Sequence, residues 1–234
     1  MQNSEWNLAG KAILVTGASS GIGAATAVAR GRQRARVVLA ARRVADCEAV
    51  AEQVRAAGGE AWVTPVDVTD ETSVQRCVEA AVKRFGRLDG AFNNAGALGT
   101  GAPLHTLAAA DVQAVLQANV MGIFHAMKHQ IAAMLTTGGG AIVNNLSISS
   151  GVAFAGISAY TASKHAALGL TRNAALEYFQ QGIRVNAVSP GPTVTPMALA
   201  GFGSEDNMRA ALRGVREGGG ASSWRRLPPP IVRE

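Results

Sequence analysis

The sequence lacks the patterns that identify membrane, secreted and metal-binding proteins. No apolar run reaches the ~18 residues that a transmembrane helix needs, and the first residues lack the basic and then apolar pattern of a signal peptide. Neither the two cysteines, Cys47 and Cys77, nor the four histidines show metal-ligand spacing. We therefore expect a cytoplasmic protein with reduced thiols, no membrane span and no metal site.

Acidic residues are also scarce, and the chain carries a formal net charge of +6. The excess lies in two arginine-rich segments, 30–36 and 209–234, each with a net charge of +4, so that the remainder carries −2. Aromatic residues make up 5% of the chain and do not interleave with these arginines, as they do in many nucleic-acid-binding surfaces. The charge pattern therefore argues against a nucleic-acid partner.

Short β-branched segments alternate with longer helical ones along most of the chain. Strands are predicted at residues 12–17, 35–41, 61–68, 88–96, 140–147 and 183–191, and helices at residues 23–33, 44–57, 71–85, about 108–135, and 158–181. Nearly unbroken apolar strands are typical of a parallel sheet covered on both faces. The sequence therefore predicts an α/β, Rossmann-like fold with a doubly wound parallel sheet, in which ligands bind beyond the carboxyl ends of the strands.

Residues 1–203 are predicted to form a single catalytic domain. From residue 204 the composition changes to a stretch with a glycine triplet and a proline triplet, without an apolar run for a seventh strand. Residues 204–234 are therefore predicted to be an atypical, poorly ordered tail.

A glycine-rich turn, TGASSGIG, follows the first predicted strand. Free backbone N–H groups at the start of the next helix attract a pyrophosphate. The spacing differs from GxGxxG, and a tight turn that only needs positive φ angles is the alternative. We expect the turn to bind a dinucleotide through these residues: Gly17, Ser19, Ser20, Gly21, Ile22 and Gly23.

The second predicted strand ends at Ala41, close to where an NAD-binding fold usually carries an acidic residue for the ribose hydroxyls. The next residue is Arg42, whose guanidinium can pair with a 2′-phosphate. The sequence therefore predicts NADP in preference to NAD. The alternative is a solvated helix terminus with surface arginines.

Polar residues also follow the third and fourth predicted strands. Asp67, beside Val68, is placed to accept a hydrogen bond from an adenine amine, whereas Asp70 is predicted to cap the next helix. Asn94 is predicted to bond either to the chain or to a ribose. All of these residues belong to the expected dinucleotide cleft.

Together these segments resemble the short-chain dehydrogenase/reductase family. TGASSGIG, VDVTD, NNAG, YTASK and SPG follow the family's order over about residues 8–203. The resemblance implies an NAD(P)-dependent oxidoreductase that transfers a hydride between the cofactor and a secondary alcohol or ketone. Since the tail and the segment 30–36 are atypical, the alternative is a relative that binds a dinucleotide but is catalytically impaired or regulatory.

Within YTASK, Tyr160 and Lys164 are four residues apart and share one helix face. The resemblance implies that Tyr160 is the general acid/base. A free phenol has a pKa near ~10, and a neighbouring ammonium is expected to lower that pKa. Lys164 is therefore predicted to tune Tyr160 and to bind the nicotinamide ribose.

The resemblance implies a serine thirteen residues before the tyrosine, which is Ser147. Its hydroxyl would position the carbonyl oxygen of the substrate. Ser149 and Ser150 are rivals on count alone.

The resemblance assigns roles to three more residues. Asn119 would hold Lys164 through its backbone and a water, although a mid-helix asparagine can also merely accommodate a kink. Thr193 would contact the nicotinamide carboxamide, and Thr195 a phosphate.

The resemblance also implies partners. In the family the two long helices, 108–135 and 158–181, pack against their copies, so a homo-oligomer, a dimer or a tetramer, is expected. Small apolar residues near 97–105 and 153–157 indicate a small uncharged carbonyl or alcohol substrate.

The segment RGRQR, residues 30–34, departs from the family, which has an apolar residue and a glycine turn there. Local reading-frame shifts would explain both this segment and the tail. The nucleotide sequence tests that hypothesis, since an alternative frame must restore an apolar helix and a seventh strand.

Overall fold

The computed structural model describes residues 8–207 and 209, and it contains the predicted parallel sheet flanked by helices. The strands are β1 (Ala12–Thr16), β2 (Arg36–Ala41), β3 (Glu60–Pro65), β4 (Gly90–Asn93), β5 (Gly140–Asn145) and β6 (Ile183–Val188). They pair in parallel in the order β3-β2-β1-β4-β5-β6. The strand order reverses between β1 and β4, which is where a doubly wound sheet binds its ligands.

Helices connect these strands in the predicted alternation. They are α1 (Gly21–Arg32), α2 (Val44–Ala56), α3 (Glu71–Phe85), α4 (Ala109–Leu116), α5 (Gly122–Leu135), α6 (Ser158–Tyr178) and α7 (Pro196–Phe202). The predicted helix at 108–135 is interrupted by a π-helical segment, Gln117–Met121, between α4 and α5. No helix within the described ranges combines the length and apolar character needed to cross a bilayer.

Successive strand residues pack into two separate hydrophobic clusters. In β2, Val37 and Leu39 pack in the cluster that contains α1 and α2, whereas Val38 and Ala40 pack in the cluster that contains α3, α5 and α6. All four side chains have 0% of their surface exposed. Because both faces of the sheet are buried, the strands are apolar at almost every position rather than at alternate ones.

Several strands are shorter than predicted. The strands β1, β4 and β6 end at Thr16, Asn93 and Val188, because the residues that follow leave the ladder and form loops at the carboxyl edge of the sheet. The chain divides after Gly191 into two compact units, of which the first holds the sheet and the second holds α7. The predicted lack of a seventh strand concerns residues 204–234, which lie outside the described residues except for 204–207 and 209.

Helix α1 ends in a Schellman turn with arginine at the position that usually requires glycine. The Arg34 N–H donates to the Gly31 carbonyl (2.8 Å) and the Ala35 N–H donates to the Arg30 carbonyl (3.2 Å), which is the paired pattern of this motif. Arg34 has a φ angle of +60° and is the only described non-glycine residue with a positive φ. The Arg30 Nε and the Gln33 Oε1 are buried without a hydrogen-bond partner in the described structure. The atypical segment therefore folds as a helix end, at a cost in stability.

We expect Arg34→Gly to raise the free energy of unfolding by about 1 kcal/mol, because glycine adopts a positive φ without a Cβ clash. Arg34 is exposed, so no packing is lost. The matched control is Arg32→Gly, which alters an exposed arginine with helical geometry and should lower stability by about 1 kcal/mol. Urea denaturation measures both, and a loss of stability in Arg34→Gly would contradict the prediction.

Candidate active site

The turn between β1 and α1 needs glycine at three positions. Gly17 and Gly21 have φ angles of +64° and +56°, and a Cβ atom on Gly23 would lie 2.3 Å from the Gly17 carbonyl oxygen. Helix α1 begins at Gly21, and its N-cap residue, Ser20, makes no side-chain capping hydrogen bond to it in the described structure. The N–H groups of the first turn are therefore left to bind an anion, as a pyrophosphate site requires.

Arg43, to which the sequence analysis assigned no role, holds the two serines of this turn. Its Nη2 atom donates to the Ser19 hydroxyl (3.0 Å) and to the Ser20 hydroxyl (3.2 Å), and its Nε atom donates to Asp46. Ile22 is half-buried against the α1–α2 side of the core. The arginine doublet after β2 was the sequence signal, but only the contacts distinguish the two arginines.

Asp67 lies in the loop after β3, and its carboxylate is held ionised. Its Oδ1 atom accepts hydrogen bonds from the Thr69 hydroxyl (2.7 Å) and the Thr69 N–H (3.0 Å). These hydrogen bonds lower the pKa of Asp67, and the charge of exposed Arg42 lowers it further, although burial opposes them. The structure therefore brings Arg42 and Asp67 close together. Asp70 caps α3 by accepting from the Thr72 N–H (2.9 Å), as predicted.

The same loop is fixed from the other side by the π-helical segment and α5. The Gln117 Nε2 atom donates to the Thr69 carbonyl (2.8 Å), and the His125 Nδ1 atom lies 3.1 Å from the Val68 carbonyl oxygen. A Cβ atom on Gly122 would lie 2.9 Å from the Val68 side chain. Gln117 and His125 thus position Val68, a role that no local sequence pattern indicated.

Asn94 bonds to the chain, which is one of the two roles predicted for it. Its Nδ2 atom donates to the Thr16 carbonyl (3.2 Å) and the Gly17 carbonyl (3.1 Å), and its Oδ1 atom accepts from the Asn145 Nδ2 atom (2.8 Å). Its N–H donates to the Thr16 hydroxyl (3.0 Å). Asn94 therefore joins the glycine-rich turn to the ends of β4 and β5.

A buried amide network lies on the other face of the same two strands. Asn93 and Asn144 are register partners, and the Asn93 Nδ2 atom donates to the Asn144 Oδ1 atom (2.9 Å). Asn93 and Gln130 exchange two hydrogen bonds, and Asn144 donates to the Thr171 hydroxyl (2.9 Å). Because every amide here is satisfied in low dielectric, the network rigidly links β4 and β5 to α5 and α6.

Tyr160, Lys164 and Ser147 lie close together at the carboxyl end of β5. Tyr160 and Lys164 lie in the first turns of α6, with the Lys164 Nζ atom 5.5 Å from the centroid of the Tyr160 ring. Ser147 follows β5, is 9% exposed, and has a side chain close enough to that of Tyr160 to lower the pKa of the phenol. Of the three candidate serines, Ser147 is the one with this effect on the phenol in the described structure; the Ser149 N–H donates to the Ser147 hydroxyl (3.1 Å).

Lys164 is a buried cation that the chain holds through one carbonyl. Its side chain is 5% exposed, and its Nζ atom donates to the Asn145 carbonyl (2.9 Å). A Cβ atom on Gly96 would lie 2.8 Å from the Asn119 Oδ1 atom and 4.0 Å from the Lys164 Nζ atom. Gly96 therefore leaves the space in which Asn119 and Lys164 approach each other.

Asn119 is at the centre of the π-helical segment, and its side chain is fully bonded. Its Oδ1 atom accepts from the Ala97 N–H (2.8 Å), and its Nδ2 atom donates to the Ala97 carbonyl (2.8 Å) and the Ser163 hydroxyl (2.9 Å). Ser163 in turn donates to the Tyr160 carbonyl (2.7 Å). A π-helical segment interrupts the helix at Asn119, and the side chain ties the loop after β4 to the tyrosine-bearing turn of α6. The predicted backbone role toward Lys164 stays a prediction.

Burial shifts the pKa of Tyr160 and the pKa of Lys164 in opposite directions. It raises the pKa of Tyr160, and the Ser147 side chain partly offsets the rise. It lowers the pKa of Lys164 from 10.5 to about 8. The pKa of Tyr160 is therefore raised rather than lowered as expected from the sequence, because desolvation by burial outweighs the lowering effect of Ser147.

Thr193 and Thr195 belong to the second unit of the chain. The Thr195 hydroxyl accepts from the Ala198 N–H (3.2 Å) and caps α7. The roles predicted for both threonines stay predictions. Among the described residues, no group of three or more His, Cys, Asp or Glu side chains is arranged to hold a metal ion.

Comparison with known proteins gives extensive matches. The family model described as short chain dehydrogenase matches residues 11–203. The chain is 40% identical to the A-factor type gamma-butyrolactone 1′-reductase of Streptomyces virginiae, over 91% of this chain and 83% of that protein. It is 39% identical to the cyclohexanol dehydrogenase of an Acinetobacter strain, over 80% of this chain and 74% of that protein.

Solved structures with the same fold include cofactor complexes. Levodione reductase superposes with a TM-score of 0.85 at 35% identity, covering 89% of this chain and 83% of that one. NAD⁺-bound xylitol dehydrogenase gives 0.78 at 38% identity, with 80% and 72% coverage. A metagenomic short-chain oxidoreductase in complex with NADP gives 0.76 at 37% identity, with 80% and 85% coverage. The sheet order, the site at its carboxyl edge and these matches together make the chain a member of the short-chain dehydrogenase/reductase family of oxidoreductases.

Proposed function

We propose that this chain is an NADP-preferring oxidoreductase that interconverts a secondary alcohol and a ketone through Tyr160, Lys164, Ser147 and Asn119. The observation that carries the proposal is the buried group of Tyr160, Ser147 and Lys164 at the carboxyl end of β5. A phenol flanked by a serine hydroxyl and a cation is suited to acid/base chemistry and to binding an oxyanion.

The cleft fits a dinucleotide. The uncapped first turn of α1 and the glycines that precede it would hold the phosphates, and the loop with Asp67 and Val68 would hold the adenine. Asn94 is bonded to the turn itself, so we assign it to shaping the phosphate site. By the family resemblance, Thr193 would contact the nicotinamide carboxamide and Thr195 a phosphate. Solved relatives bind NAD⁺ or NADP, which supports a nicotinamide cofactor.

Two features favour NADP over NAD. The strand β2 ends at Ala41, which has no carboxylate to bind the ribose hydroxyls, and exposed Arg42 follows it beside the adenine loop. Arg43 is occupied with Ser19 and Ser20. Arg42 is therefore the cation that we assign to the 2′-phosphate, through a charge-assisted hydrogen bond.

The cofactor supplies or accepts the hydride, and the chain manages the proton and the substrate oxygen. Tyr160 gives a proton to the developing alkoxide during reduction and takes it back during oxidation. Ser147, whose side chain lies beside the same phenol, holds the substrate oxygen within reach of Tyr160. Lys164 places a positive charge beside the ring, which stabilises the phenolate that oxidation requires. Asn119 keeps the Tyr160 turn of α6 in place through Ser163 and is proposed to support proton delivery to Lys164.

Two segments define the substrate side of the site. Residues 97–105 and 153–157 meet where the Ala102 N–H donates to the Gly156 carbonyl (2.9 Å), and both are rich in small apolar residues. We propose a small uncharged carbonyl or alcohol as the substrate. The reductase and dehydrogenase names of the relatives support this class.

Assembly and location complete the proposal. Large apolar side chains are exposed on α5 and near the end of α6: Phe124 is 40%, Leu176 is 82% and Phe179 is 68% exposed. We propose that these helices pair with their copies in a homo-oligomer, which would cover that surface. Cys47 and Cys77 are buried free thiols, in agreement with a cytoplasmic location.

Tyr160→Phe is expected to lower kcat by about 10²–10⁴-fold while leaving NADP affinity intact, because it removes the proton donor and keeps the ring. The matched control is Tyr178→Phe, which alters the chain's other tyrosine on the same helix and should keep full activity. NADPH oxidation with a panel of ketones measures both variants. Unchanged turnover in Tyr160→Phe would refute the assignment, and a wild type that binds NADP without any turnover would favour the catalytically impaired alternative.

Lys164→Met is expected to raise the free energy of unfolding at pH 7 by about 2 kcal/mol while abolishing activity. Holding the ammonium buried lowers its pKa from 10.5 to about 8, which corresponds to roughly 3 kcal/mol at ~1.4 per pKa unit, and the lost hydrogen bond to Asn145 offsets about 1 kcal/mol of this. Between pH 8 and 10 the unfolded lysine keeps its proton while the folded one loses it. The free energy of unfolding of the wild type therefore rises between pH 8 and 10, whereas that of the variant does not. The stability advantage of Lys164→Met becomes smaller over the same range.

Urea denaturation at several values between pH 7 and 10 measures this difference. Lys83→Met, at an exposed lysine of α3, is the control and should show no comparable pH-dependent difference. A Lys164→Met variant that is less stable than the wild type at pH 7 would contradict the desolvation argument.

Arg42→Ala is expected to weaken NADP binding by about 10–100-fold and to leave NAD binding unchanged, because one charge-assisted pair with the 2′-phosphate is lost. Arg43→Ala releases Ser19 and Ser20 and should weaken both cofactors to a similar extent. Calorimetric titration with NADP and NAD separates the two variants. If Arg43→Ala alone were selective for NADP, the assignment of Arg42 would be wrong.

A further inference from the structure

Asn145 is the last residue of β5, and its backbone and its side chain serve different parts of the site. Its carbonyl accepts from the Lys164 Nζ atom (2.9 Å). Its Nδ2 atom donates to the Asn94 Oδ1 atom (2.8 Å), and the residue is 9% exposed. Because successive strand side chains point to opposite faces, it faces away from Asn144 and its buried amide network. Asn145 thus connects two parts of the site, the glycine-rich turn through its side chain and Asn94, and Lys164 through its backbone carbonyl.

The orientation of the Asn145 amide is fixed by its neighbour. The Asn94 Nδ2 atom donates to two carbonyls, those of Thr16 and Gly17, and a carbonyl only accepts. Asn94 must therefore present its Oδ1 atom to Asn145, which has to answer with its own N–H donor. The Oδ1 atom of Asn145 is consequently turned away from Asn94, and flipping either amide would set acceptors against each other.

This outward Oδ1 atom is a buried acceptor to which no described residue donates a hydrogen bond. Such atoms are rare, since leaving a buried acceptor without a donor costs the desolvation that it would otherwise recover. The contrast with Asn144 is direct, because the amide of that adjacent residue is fully bonded. A free acceptor at this position indicates that the missing donor comes from a ligand.

We propose that Asn145 is a further cofactor-binding residue, whose Oδ1 atom accepts a hydrogen bond from the nicotinamide half of the bound dinucleotide. The inference rests on the proposed function. Hydride exchange next to Tyr160 and Ser147 requires the nicotinamide nucleoside to lie at the end of β5, where Asn145 is the last residue. That half of the cofactor presents donors in two groups, the carboxamide N–H and the ribose hydroxyls. Either one satisfies the buried acceptor.

Two nearly isosteric substitutions separate the two ends of the amide. Asn145→Leu removes both the donor to Asn94 and the Oδ1 acceptor, whereas Asn145→Asp removes the donor and keeps an acceptor. If the acceptor binds the cofactor, Asn145→Leu should weaken NADP⁺ binding by about tenfold, and Asn145→Asp should weaken it less. If the residue acts only by holding Asn94, Asn145→Asp should weaken binding at least as much as Asn145→Leu, because its carboxylate would face the Asn94 Oδ1 acceptor without a proton to donate. That result would overturn the proposal.

Stability of the cofactor-free protein is the second measurement. Asn145→Leu removes a buried acceptor that has no donor but leaves the Asn94 Oδ1 atom without its donor. The two effects should largely cancel, so its thermal midpoint should stay close to that of the wild type. The matched control is Asn144→Leu, at the neighbouring asparagine on the opposite face. It should lower the midpoint and leave the affinity of the folded protein for NADP⁺ unchanged. A lower midpoint with unchanged NADP⁺ affinity in Asn145→Leu would show a purely structural residue and overturn the proposal.

A cofactor analogue identifies the donor. The 3-acetylpyridine analogue of NADP⁺ has an acetyl group in place of the carboxamide and so lacks that N–H. A loss of affinity in Asn145→Leu for NADP⁺ but not for the analogue would assign the carboxamide, and an equal loss for both would assign a ribose hydroxyl. No loss for either overturns the inference alone, whereas a wild type that binds neither NADP⁺ nor NAD⁺ overturns the proposed function as well.

Discussion

The site depends on one buried ammonium that a single strand-end carbonyl holds in place. Lys164 is 5% exposed, and the carbonyl of Asn145 is the acceptor that the structure gives for its Nζ atom. Taking an ammonium out of water is costly unless it is paired, and no described carboxylate forms an ion pair with it. The lowered pKa of Lys164 and the raised pKa of Tyr160 have the same origin, which is burial. The chain therefore holds a charge that its fold alone disfavours, and this kind of cost is typical of functional sites.

Hydrogen bonds between side-chain amides, rather than ion pairs, hold the strand ends of the site in place. Two consecutive asparagines stand at the end of each strand, Asn93 and Asn94 at β4 and Asn144 and Asn145 at β5. Because strand side chains alternate, one asparagine of each pair points to either face of the sheet. The inner pair, Asn93 and Asn144, locks the strands to α5 and α6. The outer pair, Asn94 and Asn145, locks them to the phosphate turn. Amides can form both sets of contacts because each has a donor and an acceptor. The one acceptor without a donor, the Asn145 Oδ1 atom, is the atom that we propose binds the cofactor.

The fold and the proximity of Tyr160, Lys164 and Ser147 were predictable, and the supporting contacts were not. Unbroken apolar strands predicted the parallel sheet, because that signal is local, and the family resemblance pointed to Ser147, thirteen residues before Tyr160. The π-helical segment around Asn119 was missed, since its apolar periodicity continues that of the flanking helices. Gln117 and His125 bind carbonyls 48 and 57 residues away in the sequence. Such contacts depend on tertiary packing, which a single sequence does not encode as a pattern.

The atypical segment at 30–36 bears on stability rather than on chemistry, because of where it lies. Helix α1 has 12 residues and so is ~18 Å long, with the phosphate turn at its start and Arg34 beyond its end. The Arg34 carbonyl accepts from the Gly10 N–H just before β1, at the amino edge of the parallel sheet. The group of Tyr160, Lys164 and Ser147 lies at the carboxyl edge. The positive φ angle of Arg34 and the two unsatisfied polar atoms of this segment lower the stability of the fold, but they take part in none of the contacts that hold Tyr160, Lys164 and Ser147. A relative damaged in this segment would therefore lose folded protein before it lost the ability to transfer a hydride.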